Sequence, residues 1–333
     1  MVKDIRNLVF SGGGILGVSY LGALDYLYGN NLLEHLGRTA GTSAGAIAAC
    51  ITSFHLPFEN ILEIANSLDY NKVPDKSDMN IPLPDSEEFL HNFEAIFGDV
   101  SCLYRLITEY GWFSSEYFYK WLQGVIKNQF NHIKKPPYTF LDFRNPLLHN
   151  NSRVFHDLYI VGSNLTTGTT QVFSYETTPL VEVAQAVRIS MSVPLFFEAI
   201  KLDQTEINGN QTASIFCDGG LMNNYPLQLF DSPRYGGNIL RGANMESLGI
   251  RFQNSTQPHK IDNLLDYIIQ IALTSGYVQQ EAYQQEPMNR VRSISIDSRN
   301  VPAFDFNLTA GDNTYQLLYQ QGYAATMNYF AAH

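Results

Sequence analysis

Asn7-Leu8-Val9-Phe10-Ser11-Gly12-Gly13-Gly14-Ile15-Leu16-Gly17 carries the reading of the fold. Asn7 to Phe10 is a short apolar strand, and Ser11 to Gly14 is a glycine turn. From Ile15 to about Tyr28, Leu16, Tyr20, Leu24 and Leu27 recur at helical spacing. Gly29-Asn30-Asn31 ends that helix. The same grammar then repeats. A strand at 38–40 leads into Gly41-Thr42-Ser43-Ala44-Gly45, and a helix of small residues follows over 46–53. Strand, turn and helix twice over predict an α/β sheet. Further strands are expected at 157–162, 171–175, 215–217 and 248–252, and a helix over 181–190 ahead of Pro194. The stretch from about 70 to 100 reads as irregular, 101–130 as aromatic-rich helices, and the chain after Lys260 as mostly helical. No repeat or low-complexity linker interrupts the pattern, so residues 1–333 are read as one domain.

The glycine turn has two readings. Gly12-x-Gly14-x-x-Gly17 between a strand and a helix is the context of a dinucleotide fingerprint. That reading needs an acidic residue at the tip of the second strand. Glu34 lies at about the right distance but precedes the strand. A Walker-type phosphate loop is excluded, because no Gly-Lys-Ser/Thr follows. The other reading uses the free backbone N–H groups of Gly12, Gly13 and Gly14, which converge at a helix N-terminus and favour negative charge. They suit a phosphate or a tetrahedral oxyanion equally.

Gly41-x-Ser43-x-Gly45 puts a serine on a sharp strand-to-helix turn, where its hydroxyl is exposed and the glycines permit close backbone approach. The competing reading is a serine N-cap. Ile215-Phe216-Cys217-Asp218-Gly219-Gly220 places a carboxylate where an apolar strand ends, and the glycines let the chain turn away; an ordinary Asp-Gly turn is the alternative. A triad hydrolase would need a late histidine. Only His259 and His333 lie beyond residue 156, and neither sits in such a turn.

Composition bounds the rest. Of 333 residues, 45% are hydrophobic and 16% charged, which suits a large buried core rather than disorder. A net charge of −11 disfavours nucleic acid as partner and equally disfavours anionic bilayers. Any docking on a membrane must therefore come from apolar side chains. Cys50, Cys102 and Cys217 are odd in number and widely spaced, so reduced thiols are expected rather than disulfides or zinc. No His/Glu spacing suggests a metal. The Met1–Arg6 segment lacks the apolar core of a signal peptide, and no run of about 18 apolar residues occurs. A cytoplasmic protein, or one delivered by a non-classical secretion route, is the expectation, with peripheral membrane contact when active.

The ordered set Gly12-Gly13-Gly14-Ile15-Leu16-Gly17, Gly41-Thr42-Ser43-Ala44-Gly45 and Asp218-Gly219-Gly220 resembles the patatin-like phospholipase family. Trp112-Phe113-Ser114-Ser115, Thr139-Phe140-Leu141-Asp142, Ser163–Gly168, Ala186–Pro194 and Asn223-Asn224-Tyr225-Pro226 resemble further segments of it. The likeness covers about 5–255, the expected catalytic core, and leaves 256–333 as a mainly helical extension packed on it.

The resemblance implies a three-layer α/β/α fold with a central, mostly parallel sheet. It also implies a Ser–Asp dyad in which Ser43 attacks an ester carbonyl and Asp218 is the base. The N–H groups of Gly13 and Gly14 would hold the oxyanion, with Gly12 shaping the turn. Gly17, Gly41, Gly45, Gly219 and Gly220 would support the turns. The implied substrate is a phospholipid or lysophospholipid, with no metal and no cofactor. A transacylase with the same acyl-enzyme, and a nucleotide-binding module, are the alternatives. The aromatic segment 112–126 puts Tyr117, Phe118, Trp121, Leu122, Val125 and Ile126 on one helical face, which suits either a lipid-facing lid or a core-packed helix.

Overall fold

Strand β1 (Asn7–Phe10) divides its side chains between two cores. Leu8 and Phe10 enter the larger one, and Val9 enters the smaller one with Ala40, Tyr159 and Tyr225. The alternation follows from the two-residue period of a strand. It repeats in β4 (Asp157–Asn164), where Leu158 and Ile160 flank Tyr159 on opposite faces, and places both faces of the sheet under cover. The computed structural model describes residues 2, 4–75, 100–203, 213–253, 260–262 and 264–332. Much of the stretch read as irregular, together with His259 and His333, lies outside them.

The remaining strands are β2 (Arg38–Thr42), β3 (Gly111–Phe113), β5 (Thr169–Ser174), β6 (Leu195–Phe197), β7 (Ile200–Asp203), β8 (Ala213–Asp218), β9 (Ile239–Leu240), β10 (Ala243–Asn244), β11 (Ser247–Phe252) and β12 (Ser293–Ile296). The helices are α1 (Ser19–Gly29), α2 (Ala44–Ser53), α3 (Phe58–Asn66), α4 (Val100–Thr108), α5 (Glu116–Lys127), α6 (Phe140–Phe143), α7 (Val183–Met191), α8 (Gly220–Asn223), α9 (Leu264–Gln285), α10 (Pro287–Val291) and α11 (Asn313–Ala331). The central sheet runs β12-β11-β1-β2-β4-β8-β7, with β5 on β4. From β12 to β4 every pairing is parallel, and β8 joins antiparallel. This is the expected mixed α/β fold with a largely parallel sheet flanked by helices.

Three local outcomes differ from the sequence reading, the first being that Gly111–Phe113, inside the stretch read as helices, forms β3 and pairs with β6. The helix after the glycine turn begins as a 3-10 turn, Gly14–Val18, before α1 takes over. The segment after Lys260 is not helical throughout, because Ser293-Ile294-Ser295-Ile296 forms β12 and extends the sheet beside β11. Four residues are too short a run for periodicity to separate strand from helix. The aromatic helix α5 is core-packed: Phe118, Leu122, Val125 and Ile126 are buried. Helix α11 lies along α1, and Tyr319 donates to Asp25 across the pair at 2.8 Å. Among the described residues, no helix is long and apolar enough to cross a membrane.

The packing makes opposite demands on two glycines. A Cβ on Gly41 would lie 2.0 Å from the carbonyl oxygen of Gly45, since β2 turns directly back over the start of α2. Gly124 is exposed within α5, and a Cβ there meets nothing within 4 Å. Gly41→Ala should therefore lower unfolding stability by about 2 kcal/mol or more. Gly124→Ala should raise it by roughly 0.5–1 kcal/mol through helix propensity. Urea denaturation of both variants checks the pair, and equal shifts would contradict the packing argument.

Candidate active site

Strand β4 acts as a ruler. Strand β5 pairs with it from Tyr159 to Asn164 and occupies one edge. On the other edge, β2 runs parallel and ends with Thr42 opposite Val161. On that same edge β8 arrives antiparallel and ends with Asp218 opposite Gly162. The two strands meet end to end at adjacent positions of β4, so Ser43, next after Thr42, comes to face Asp218. Thr42 Oγ1 donates to the Asn223 carbonyl at 2.9 Å and ties the two turns together.

Ser43 occupies the N-cap position of α2, but its side chain makes no capping hydrogen bond. Its backbone has φ 55° and ψ −124°, a conformation that costs a non-glycine residue on the order of 1–3 kcal/mol. The hydroxyl is thereby turned away from the helix end and towards a cavity of about 110 Å³, which Asp218 and Gly12 to Gly14 also line. The alternative role of a simple cap does not apply. The end of α7 holds this turn in place. The Ser43 N–H donates to Ser190 Oγ at 2.9 Å, the Gly219 N–H to the Ser190 carbonyl at 3.3 Å, and the Asp218 N–H to the Ser192 carbonyl at 2.7 Å.

Asp218 is buried, and its Oδ1 accepts the Gly220 N–H at 2.6 Å. Oδ2 is buried without a hydrogen bond inside ordinary limits. The Ser43 hydroxyl and the Gly220 amide are the polar groups that act on this carboxylate. Burial pushes the Asp218 proton affinity up to about 7, and the Ser43 hydroxyl and Gly220 amide oppose that rise. No lysine, arginine or histidine is among the described residues lining the cavity. His149 instead stacks on Phe155, and His156 packs against His55. Among the described residues, no group of His, Cys, Asp and Glu could hold a metal.

The glycine turn closes over Ser43. A Cβ on Gly12 would lie 3.1 Å from Ser43 Cβ, and Gly14 holds φ +56° with its Cα facing the Ala303 carbonyl. The Gly12 N–H is taken by the Asn224 carbonyl at 2.9 Å, which leaves the amides of Gly13 and Gly14 as candidates for an incoming anion. Gly17 packs against Ala44 behind the turn. Glu34 lies in an exposed turn at the N-terminal end of β2, away from the glycines at the C-terminal end of β1. Glu34 is therefore not placed where a dinucleotide's ribose would need an acid.

Several positioning residues were not legible from sequence. The Asn224 N–H donates to Gln279 Oε1 at 2.7 Å, and Gln279 Nε2 donates to the carbonyls of Gly220 and Leu221 at 2.9 and 3.1 Å. Gln279 stands on α9, and nothing local in its sequence marks it. Ser190 belongs to a segment that resembles one in the family, and its bonds to the Ser43 and Gly219 amides depend on where α7 ends.

A family model described as patatin-like phospholipase matches residues 8–231. The chain belongs to this family, which is one of lipid hydrolases. It is 25% identical over 326 residues to an uncharacterized protein of Acanthamoeba polyphaga mimivirus, covering 94% of this chain and 90% of that one. It is 30% identical over 241 residues to the uncharacterized YqhO of Bacillus subtilis, covering 68% and 67% of the two chains. A probable lipid hydrolase of invertebrate iridescent virus 6 is 24% identical over 229 residues, covering 68% and 63%. Among solved structures, VipD from Legionella pneumophila shares the fold with a TM-score of 0.58 at 18% identity, over 99% of this chain and 67% of that one.

The buried carboxylate has a consequence for stability. An unfolded aspartate titrates near 3.8, whereas folded Asp218 titrates at about 7. Between these values the folded chain binds a proton that the unfolded chain does not. This site's contribution to stability therefore falls as pH rises through that window, and the full cost is present above it. Asp218→Asn removes the charge and keeps an acceptor for the Gly220 N–H. Its thermal midpoint should exceed that of the wild type by a few degrees near pH 8, and the gap should close towards pH 4. Differential scanning calorimetry at both pH values checks this, and a constant gap would contradict it.

Proposed function

We propose that this chain is a serine-dependent lipid acyl hydrolase of the phospholipase A or lysophospholipase type, acting through a Ser43–Asp218 dyad. The observation that carries the proposal is one cavity in which the Ser43 hydroxyl, a buried Asp218 carboxylate and the Gly13–Gly14 backbone converge. Ser43 Oγ bonds to the ester carbonyl carbon as its proton passes to Asp218. The carbonyl oxygen takes the negative charge against the amides of Gly13 and Gly14, where one such donor contributes about 3 kcal/mol. Collapse breaks the bond to the alcohol, which receives the proton. Asp218 then takes a proton from water as its oxygen adds to the acyl carbon, and when the bond to Ser43 Oγ breaks that oxygen recovers the proton from Asp218 and the fatty acid is released.

A lone carboxylate with an ordinary pKa is a weak base for serine. Burial corrects this by lifting Asp218 to about 7, close to the operating range. The reaction needs no metal or cofactor. The whole chain acts as one catalytic unit, because the cavity wall includes Leu273, Tyr277 and Val301 from the C-terminal part. Membrane contact is transient and apolar. It uses the outer face of α9, where Tyr267, Ile271 and Val278 are exposed in one stripe opposite the cavity-lining residues.

Ser43→Ala should cut fatty-acid release from a lysophospholipid panel by at least about 10³-fold, and Asp218→Asn nearly as much. Mass spectrometry of the products reads this out, and undiminished release from either variant would end the proposal. For the wild type, kcat/KM should fall below about pH 7, as Asp218 takes up the proton that blocks it as a base. Ile271→Asp should weaken flotation with phosphatidylcholine vesicles while leaving hydrolysis of a water-soluble ester intact. Unchanged flotation would remove α9 from the membrane-contact reading.

A further inference from the structure

Ser43 lines two cavities rather than one. The first, of about 110 Å³, holds Asp218 and the polar side chains of Asn224, Gln253, Gln280 and Ser298. The second, of about 50 Å³, also reaches Ser43, shares Gly14, Val193 and Phe304 with the first, and extends past Met191 towards Phe118 and Phe197. Apart from Ser43 and Tyr70, its described lining residues are apolar. Beyond it lies a third cavity, of about 70 Å³, reaching Trp121 and Ile61. The second and third share Ile15, Ala44, Ile47, Leu68 and Tyr70 as walls, so these side chains form the partition between them.

We infer that the two halves of the ester lie on opposite sides of Ser43. The acyl chain enters the second cavity, the alcohol occupies the first, and the partition at Ile47 and Tyr70 sets the acyl length. This rests on the hydrolase reading and adds the direction of the substrate to it.

Proton bookkeeping decides the direction. When the tetrahedral intermediate collapses, the carbon–oxygen bond to the alcohol breaks and that oxygen must receive a proton. The proton is the one Asp218 took from Ser43, so the departing oxygen has to lie within reach of Asp218. Asp218 lines the first cavity and is absent from the described lining of the second. The alcohol is thereby directed into the first. The acyl chain, bonded to the same carbonyl carbon, has the other side. The linings are compatible with that direction: Asn224, Gln253, Gln280 and Ser298 line the first cavity alone, beside apolar residues such as Leu221 and Leu273, whereas Met191, Phe118, Phe197 and Phe306 line the second alone. A methylene that reaches the Ile47–Tyr70 partition has nowhere further to go unless those side chains move.

The test uses a graded series of p-nitrophenyl esters, from butanoate through octanoate to hexadecanoate, with one leaving group throughout. For the wild type, kcat/KM should rise about fourfold per added methylene while the second cavity fills, and then level off. Ile47→Ala and Tyr70→Ala should join the second and third cavities and move the plateau to longer chains. Ile47→Phe should move it to shorter ones. The opposed shifts make a general loss of folding an inadequate explanation, and thermal melts of each variant accompany the series. Tyr277→Ala, in the first cavity, should change the preference between p-nitrophenyl and glycerol esters and leave the plateau where it was. If ester hydrolysis depends on Ser43 but the plateau ignores Ile47 and Tyr70, or follows Tyr277, the assignment of the two sides is wrong. If no ester is hydrolysed in a Ser43-dependent way, the hydrolase reading itself fails.

Discussion

The site depends on the meeting of two strand ends along one edge of β4. Strand β2 stops beside Val161 and β8 stops beside Gly162, each followed at once by a turn. Register in a sheet is discrete, and a slip of one residue reverses which face every side chain occupies. The approach of Ser43 to Asp218 is thus fixed by backbone hydrogen bonds across the sheet and not by the two side chains themselves.

The frame carries two local costs. Ser43 holds a positive φ, and Asp218 is buried with one oxygen lacking a close partner. Both lie where the surrounding structure over-determines them: the end of α7 holds the Ser43 amide and the Asp218–Gly219 amides, and Gly220 holds Oδ1. Strain and desolvation persist at such points because the packing around them is rigid. The same desolvation supplies the raised proton affinity on which the proposed histidine-free mechanism relies. Stability at Asp218 and basicity at Asp218 are therefore opposite readings of one physical cause.

The part of the chain beyond the family match is not peripheral to this arrangement. Strand β12 widens the sheet, and α9 sends Gln279 to the carbonyls behind Asp218. The loop after β12 brings Ala303 against Gly14 and Phe304 to the border between the two cavities beside Ser43. The exposed Tyr267, Ile271 and Val278 lie on the far side of the same helix that walls the cavity. Wall, support and outer surface thus come from one element.

Much of the design was legible in the sequence. The strand of Asn7 to Phe10, the three glycine-bearing turns and the strand-end position of Asp218 are local features. They follow from periodicity and from the backbone freedom that glycine gives at a turn, and they mark Ser43, Asp218 and Gly12 to Gly14 as candidate site residues. Strand β12 is not legible in the sequence, because four alternating Ser and Ile residues carry too little signal. Ser190, Asn224 and Gln279 were not assigned their supporting roles, because each acts through contacts across long sequence separations. The division of the space around Ser43 was likewise beyond the sequence. Which residues can bear the chemistry is written in their types and in their immediate neighbours along the chain. Which of them meet, how far the carboxylate's proton affinity rises, and which cavity beside the serine holds the polar side chains are properties of distance and exclusion of water, and only the folded chain determines those.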